Sequence, residues 1–211
     1  MQTKNLCRVL ASISCAIILL GCSPAADAPY SKIQDPPLVS ASLHTVTVVS
    51  PDAALLETLQ KQGFTLAPFL SNYPASVRVE ALLWKVPEEA AASPAVLMAP
   101  AGHGPNVRVL VSPSIPPAQP VEPAVEDAFY RNVLGSEVPQ WPFKLPAGAR
   151  IQVTTWFVAD VVAAKQRLRE ARIPVTFDPV DITTAYLGDH RVMGIQAPDG
   201  TVIELVQNVA Q

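Results

Sequence analysis

Two stretches of the chain lay out their apolar and polar residues in the same order. "LHTVTVVSPDAALLETLQKQGFTLAPF", starting at Leu43, aligns with "QVTTWFVADVVAAKQRLREARIPVTFD", starting at Gln152, at a constant spacing of 109 that also relates Val49 to Val158 and Leu59 to Leu168. Each copy opens with a strand of β-branched residues, passes through a helix start and enters a second strand. Ser50-Pro51 offers the first helix a capping hydroxyl with proline at its first position, and Asp160 caps the second. In that second helix Val161, Ala164, Leu168 and Ala171 share one face, leaving Lys165, Arg167 and Arg169 for solvent. Two more strands follow in each copy: Val77–Val86 ("VRVEALLWKV") and Asn106–Val111 in the first, Thr183–Ala197 and Thr201–Val206 in the second.

Each copy therefore reads as βαβββ. One unit alone would leave a sheet face uncovered, so the two are expected to pack into a single α+β domain. The boundaries follow: a first module over 43–113, a second over 150–211, and a Pro-rich connector over 114–149. The connector carries a short helix, "AVEDAFYRNVLG", that stops at Gly135.

The end of the second module, "GIQAPDGTVIELVQ", reads as a hairpin with its turn at Ala197-Pro198-Asp199-Gly200. Val202 and Val206 fall on one face of the closing strand, Ile203 and Leu205 on the other, and Glu204 shares the face of the valines. A carboxylate there needs a partner, because an unpaired buried charge is costly.

The N-terminal segment has a different pattern. Lys4 and Arg8 precede the apolar run Val9–Gly21, which is shorter than a membrane span and fits the core of a secretory signal over 1–21. Leu19–Cys22, "LLGC", resembles a bacterial lipobox. That likeness implies a lipid on the Cys22 thiol and anchoring to a membrane, with a Pro/Ala-rich tether over 22–42. Ser23 follows Cys22 where an inner-membrane retention signal tends to place Asp, so the periplasmic face of the outer membrane is the expected location in the cell envelope.

Composition narrows the chemistry. The three cysteines are Cys7, Cys15 and Cys22, so the exported body has no thiol for a disulfide, a thiolate metal site or a nucleophile. A net charge of −3 without a basic cluster excludes a nucleic-acid partner. No GxSxG, P-loop, HExxH or GxGxxG pattern occurs.

In these residues the body resembles the vicinal oxygen chelate superfamily: glyoxalases, bleomycin-resistance proteins, fosfomycin-modifying enzymes and extradiol dioxygenases. "VADVVAAKQRLREARIPV" and "GDHRVMGIQAPDGTVIELVQ" carry the likeness most strongly; the first module contributes its opening strand and "GFTL". The resemblance implies one glyoxalase-like domain with a curved mixed sheet, either a monomer or a homodimer. It also implies a cup between the modules for a small-molecule ligand. Ligands from the first and last strands of the modules would hold a divalent metal there: Fe, Mn, Ni, Zn or Co. Carried over, the metal positions are His44 and Glu204, with Glu204 also the catalytic group. Val153 and Arg108 stand at the two remaining positions, and neither binds metal.

Arg108, Trp156 and His190 are expected to touch the ligand, Tyr186 is a further candidate to line the cavity, and His190 and Glu80 are candidates to fill the gap in the metal-ligand set. Other readings stay open: an internal Arg108–Glu204 ion pair, a hydrogen-bonded structural His44, and His103 as a plain loop residue. Besides a structural envelope scaffold presenting the Pro-rich loops Pro87–Pro105 and Pro113–Pro123, two functions follow. One is an anchored protein that binds a small molecule over an incomplete metal site. The other is a metal-dependent lyase or dioxygenase acting on a vicinal-oxygen substrate, and whether catalysis survives stays open.

Overall fold

The computed structural model describes residues 33, 36–67, 76–100, 104–115, 117–184 and 187–209. Cys22, the signal segment, most of the tether, His103 and Tyr186 lie outside the described residues. No helix among the described residues is long and apolar enough to cross a membrane.

The first half of the chain runs β1 (Ala41–Ser50), α1 (Ala54–Lys61), β2 (Thr65–Leu66), α2 (Val77–Trp84), α3 (Glu88–Ala92), β3 (Ala95–Met98) and β4 (Asn106–Val111). A connector helix, α4 (Pro123–Phe129), continues through a π-turn at Tyr130–Leu134 and stops at Gly135, whose φ of +69° ends it. The second half is β5 (Arg150–Val158), α5 (Val161–Glu170), β6 (Val175–Thr184), β7 (Gly188–Gln196) and β8 (Val202–Asn208). The strands form one mixed sheet in the order β2-β3-β4-β1-β5-β8-β7-β6.

The sheet is a pseudo-symmetric pair. β1 and β5 meet antiparallel at the centre, and each pairs in parallel with the last strand of its own half, β4 and β8 respectively. Two bulges balance the central pair: β1 skips His44 between Leu43 and Thr45, and β5 skips Gln152 between Ile151 and Val153. About the Val46–Thr154 pair these bulges are mates, Gln152 standing 108 positions after His44 just as Thr154 does after Val46. The spacing of 109 read from the sequence is therefore one residue too long in the strands. A slip of one residue changes the face a side chain occupies. The structural counterpart of His44 is Gln152, not Val153.

Two expectations for the first module are corrected. "VRVEALLWKV" is helix α2, not a strand, so this half inserts two helices between β2 and β3. Ser50 does not cap α1: it ends β1, its hydroxyl has no partner among the described residues, and Asp52 instead accepts from the backbone N–H of Ala54 at 2.9 Å. Asp160 does cap α5, accepting from the N–H groups of Val162 and Ala163 at 2.8 and 2.9 Å. The β7–β8 hairpin turns at Ala197–Gly200, where Gly200 takes φ +89°.

The helices divide between the faces. One face is covered by α1, α5 and the connector, burying Val46, Val48, Leu55 and Leu59 at one end and Phe129, Trp156, Leu168 and Leu205 at the other. The opposite face carries Val49, Leu110, Val153, Val192, Val202 and Val206 beneath Leu83, Trp84, Ala90 and Ala91 of the inserted helices. Gly194 on β7 permits that approach: a Cβ there would stand 2.7 Å from Cδ1 of Leu83.

Candidate functional site

The face covered by α2 is the cup that the paired halves are expected to form. Parallel pairing sets Thr47 beside Arg108 and Thr155 beside Glu204, so the last strands of the two halves present a guanidinium and a carboxylate at matching places. The two meet, with Nη1 of Arg108 4.0 Å from Oε2 of Glu204 and each residue 2% exposed.

Every oxygen of Glu204 is engaged. Oε1 accepts from the indole N–H of Trp84 at 3.0 Å, and Oε2 accepts from the hydroxyl of Thr155 at 2.6 Å. Arg108 donates to the hydroxyl of Thr47 at 3.3 Å and lies face-on to the Trp84 ring, its Cζ 4.1 Å from the ring centroid. Trp84 thus closes the cup by stacking on the cation and bonding the anion with one side chain. Its backbone carbonyl accepts from Nε2 of Gln152 at 3.1 Å, while Oε1 of Gln152, buried beneath, has no partner among the described residues.

Three more titratable groups face this pair. Glu80, on the buried side of α2, is pushed up to about 7 by burial; Arg108 opposes the shift and Glu204 adds to it. His44 is held below the usual imidazole value by burial and by the charge of Arg108. Its ring meets Phe157 edge-on at 4.5 Å, and its Nδ1 lies 2.8 Å from the Thr45 hydroxyl. His190 is also lowered, chiefly by burial, against the opposing effects of the Gly188 carbonyl and Glu204. Both imidazoles are neutral near pH 7.

The structure therefore brings Arg108, Glu204, His44 and His190 to one face, together with Glu80. Trp156 is not among them. It points to the opposite face, buried with Tyr130 and Leu168, where its indole N–H donates to the Thr154 hydroxyl at 2.8 Å. Sequence reasoning missed Trp84, hidden in a segment read as a strand, and Gln152, displaced by the one-residue spacing error.

The metal implied by the resemblance does not fit these residues. No group of three or more His, Cys, Asp or Glu side chains among the described residues could hold an ion. Both oxygens of the one carboxylate at a last-strand position are taken, and a fixed guanidinium stands at the matching place on β4. A divalent ion would have to displace Trp84 and share the space with Arg108, against Coulomb repulsion.

With eight mixed strands in this order and helices on both faces, the protein is of the α+β class. No family model and no curated protein match the chain. Among solved structures it is similar to methylmalonyl-CoA epimerase from Mycobacterium tuberculosis, at 16% identity and a TM-score of 0.47, covering 85% of this chain and 95% of that one. A glyoxalase/bleomycin resistance protein/dioxygenase superfamily member from Vibrio splendidus aligns at 13% identity and a TM-score of 0.39, covering 80% and 100%. Methylmalonyl-CoA epimerase from Streptomyces coelicolor, in complex with 2-nitronate-propionyl-CoA, aligns at 15% and 0.43, covering 82% and 99%. These likenesses are of fold alone.

Proposed function

We propose that this chain is a lipid-anchored small-molecule-binding protein of the cell envelope, held at the periplasmic face of the outer membrane through Cys22, and that it works without a metal. The observation that carries the metal-free part is the closed Trp84–Glu204–Arg108 group, in which an internal cation neutralises the acid that a metal would need. A buried pair of this kind needs its other donors and acceptors engaged, and here Thr155 and Trp84 donate to the two oxygens of Glu204 while Thr47 accepts from Arg108. The anchor rests on "LLGC" and the apolar run before it.

The alternative, a metal-dependent lyase or dioxygenase, requires both Trp84 and Arg108 to leave Glu204. Metal analysis separates the two. After incubation with Fe, Mn, Ni, Zn or Co and desalting, we expect far less than one ion per chain for each. One ion per chain that disappears in Glu204→Gln would refute the metal-free reading. For the anchor, Cys22→Ser is expected to move the protein from the membrane fraction to the soluble one; unchanged fractionation would remove lipidation from the account.

A further inference from the structure

The face of the sheet opposite Glu204 holds a cavity of about 250 Å³ between the connector, β5 and the β7–β8 turn. At ~30 Å³ per water, that is room for roughly eight waters, or for one molecule of phenethylamine size. Its floor is Thr154 and the buried ring of Tyr130, and its wall is Trp141, Leu145 and Val138. Leu145 is 36% exposed and Trp141 half-buried, so water now wets apolar surface that a ligand would cover.

Charge gathers along one side. Asp199 is fixed in the hairpin turn, its carboxylate accepting from the N–H and hydroxyl of Thr201 at 2.9 and 2.6 Å. Glu126 reaches the same cavity from α4, and Arg150 lies between the elements with Nη2 3.3 Å from the backbone carbonyl of Asp199. Among the described residues that line it, two carboxylates and one guanidinium leave one negative charge in excess. Burial and the neighbouring Asp199 both hold the Glu126 carboxyl above its usual value.

We propose that this cavity is a binding site for a small organic ammonium: the cationic head sits between Glu126 and Asp199, and an aromatic or aliphatic body lies against Trp141 and Leu145. Apolar wall, aromatic floor and one uncompensated negative charge are the features that select such a molecule over a neutral or anionic one of equal shape. The inference deepens the binding reading above but fails separately from it: metal retention tests only the cup, and amine binding tests only this cavity.

The test uses the full-length protein in mild detergent near neutral pH, with phenethylammonium as probe and 2-phenylethanol and 3-phenylpropionate as its neutral and anionic counterparts. Tryptophan fluorescence and the thermal midpoint report binding. We expect saturable binding of the ammonium, about tenfold tighter than either counterpart, because a charge-assisted hydrogen bond is roughly twice as strong as a neutral one. Glu126→Gln should abolish that preference without lowering the ligand-free thermal midpoint, and Leu145→Ser should weaken all three probes alike. No saturation by about 10 mM, well beyond the range of specific sites, would overturn the proposal. So would equal affinity for the three probes, or an unchanged preference in Glu126→Gln.

Discussion

Glu80→Gln isolates the cost of holding an acid under α2. Glu80 is 4% exposed, and burial raises its carboxyl from 4.5 to about 7. A folded-state value above the unfolded one means that the native protein binds the proton more tightly. The associated stability is complete below pH 4.5 and is lost as pH rises towards and through 7. At ~1.4 kcal/mol per unit the linkage amounts to roughly 3 kcal/mol, of which about 2.5 falls between pH 5 and pH 8. His44 and His190 work the other way: their lowered values make stability fall as pH drops below 6.5, so the raw profile of the protein mixes the two effects. The difference between the protein and Glu80→Gln removes the histidines. Urea unfolding should show the Glu80→Gln variant gaining about 2.5 kcal/mol on the parent between pH 5 and pH 8, a midpoint change of roughly 1 M at an ordinary m-value. A difference that stays flat across that range would mean that Glu80 is solvated or ion-paired, and the buried cluster as described would be wrong.

Other substitutions test neighbouring links. Trp84→Phe keeps the ring over Arg108 but strands Oε1 of Glu204, so chemical denaturation should show a loss of about 2 kcal/mol. Arg108→Met leaves the Glu204 carboxylate buried without its cation and should cost roughly 3–5 kcal/mol, while the double variant Arg108→Met with Glu204→Leu should recover most of it; an additive double variant would deny the coupling. Asp160→Ala removes the cap of α5 and should lower stability by about 1 kcal/mol in the same assay.

What the sequence made legible was governed by local period. The β7–β8 hairpin could be read because alternation sets Glu204, Val202 and Val206 on one face, and because Gly200 supplies the positive φ its turn requires. Helix α5 could be read from its cap and its apolar stripe. Helix α2 could not. Val77, Val79, Ala81 and Leu83 alternate as a strand would, yet the buried positions are Glu80, Ala81, Leu83 and Trp84, a helical spacing decided by the sheet face beneath rather than by local preference. The pairing of His44 with Gln152 was hidden for another reason. Two compensating bulges shift the register by one residue, and nothing in the local alternation marks a bulge.

The inserted helices change what the fold can do. Two halves related by the Val46–Thr154 pair build a cup whose last strands face each other at Arg108 and Glu204, and a cup of that kind is open unless something lies across it. Here α2 lies across it, resting on Gly194 and laying Trp84 against both cation and anion. The polar residues of the cup are thereby drawn into the core, where their mutual satisfaction favours one rigid arrangement over exchange with a guest. The connector on the other face leaves the opposite situation: a cavity with apolar walls, facing solvent and carrying an unbalanced charge. With the cup closed, the amine site proposed above lies on the far side of the sheet at Thr154, one residue along β5 from the Thr155 that holds Glu204.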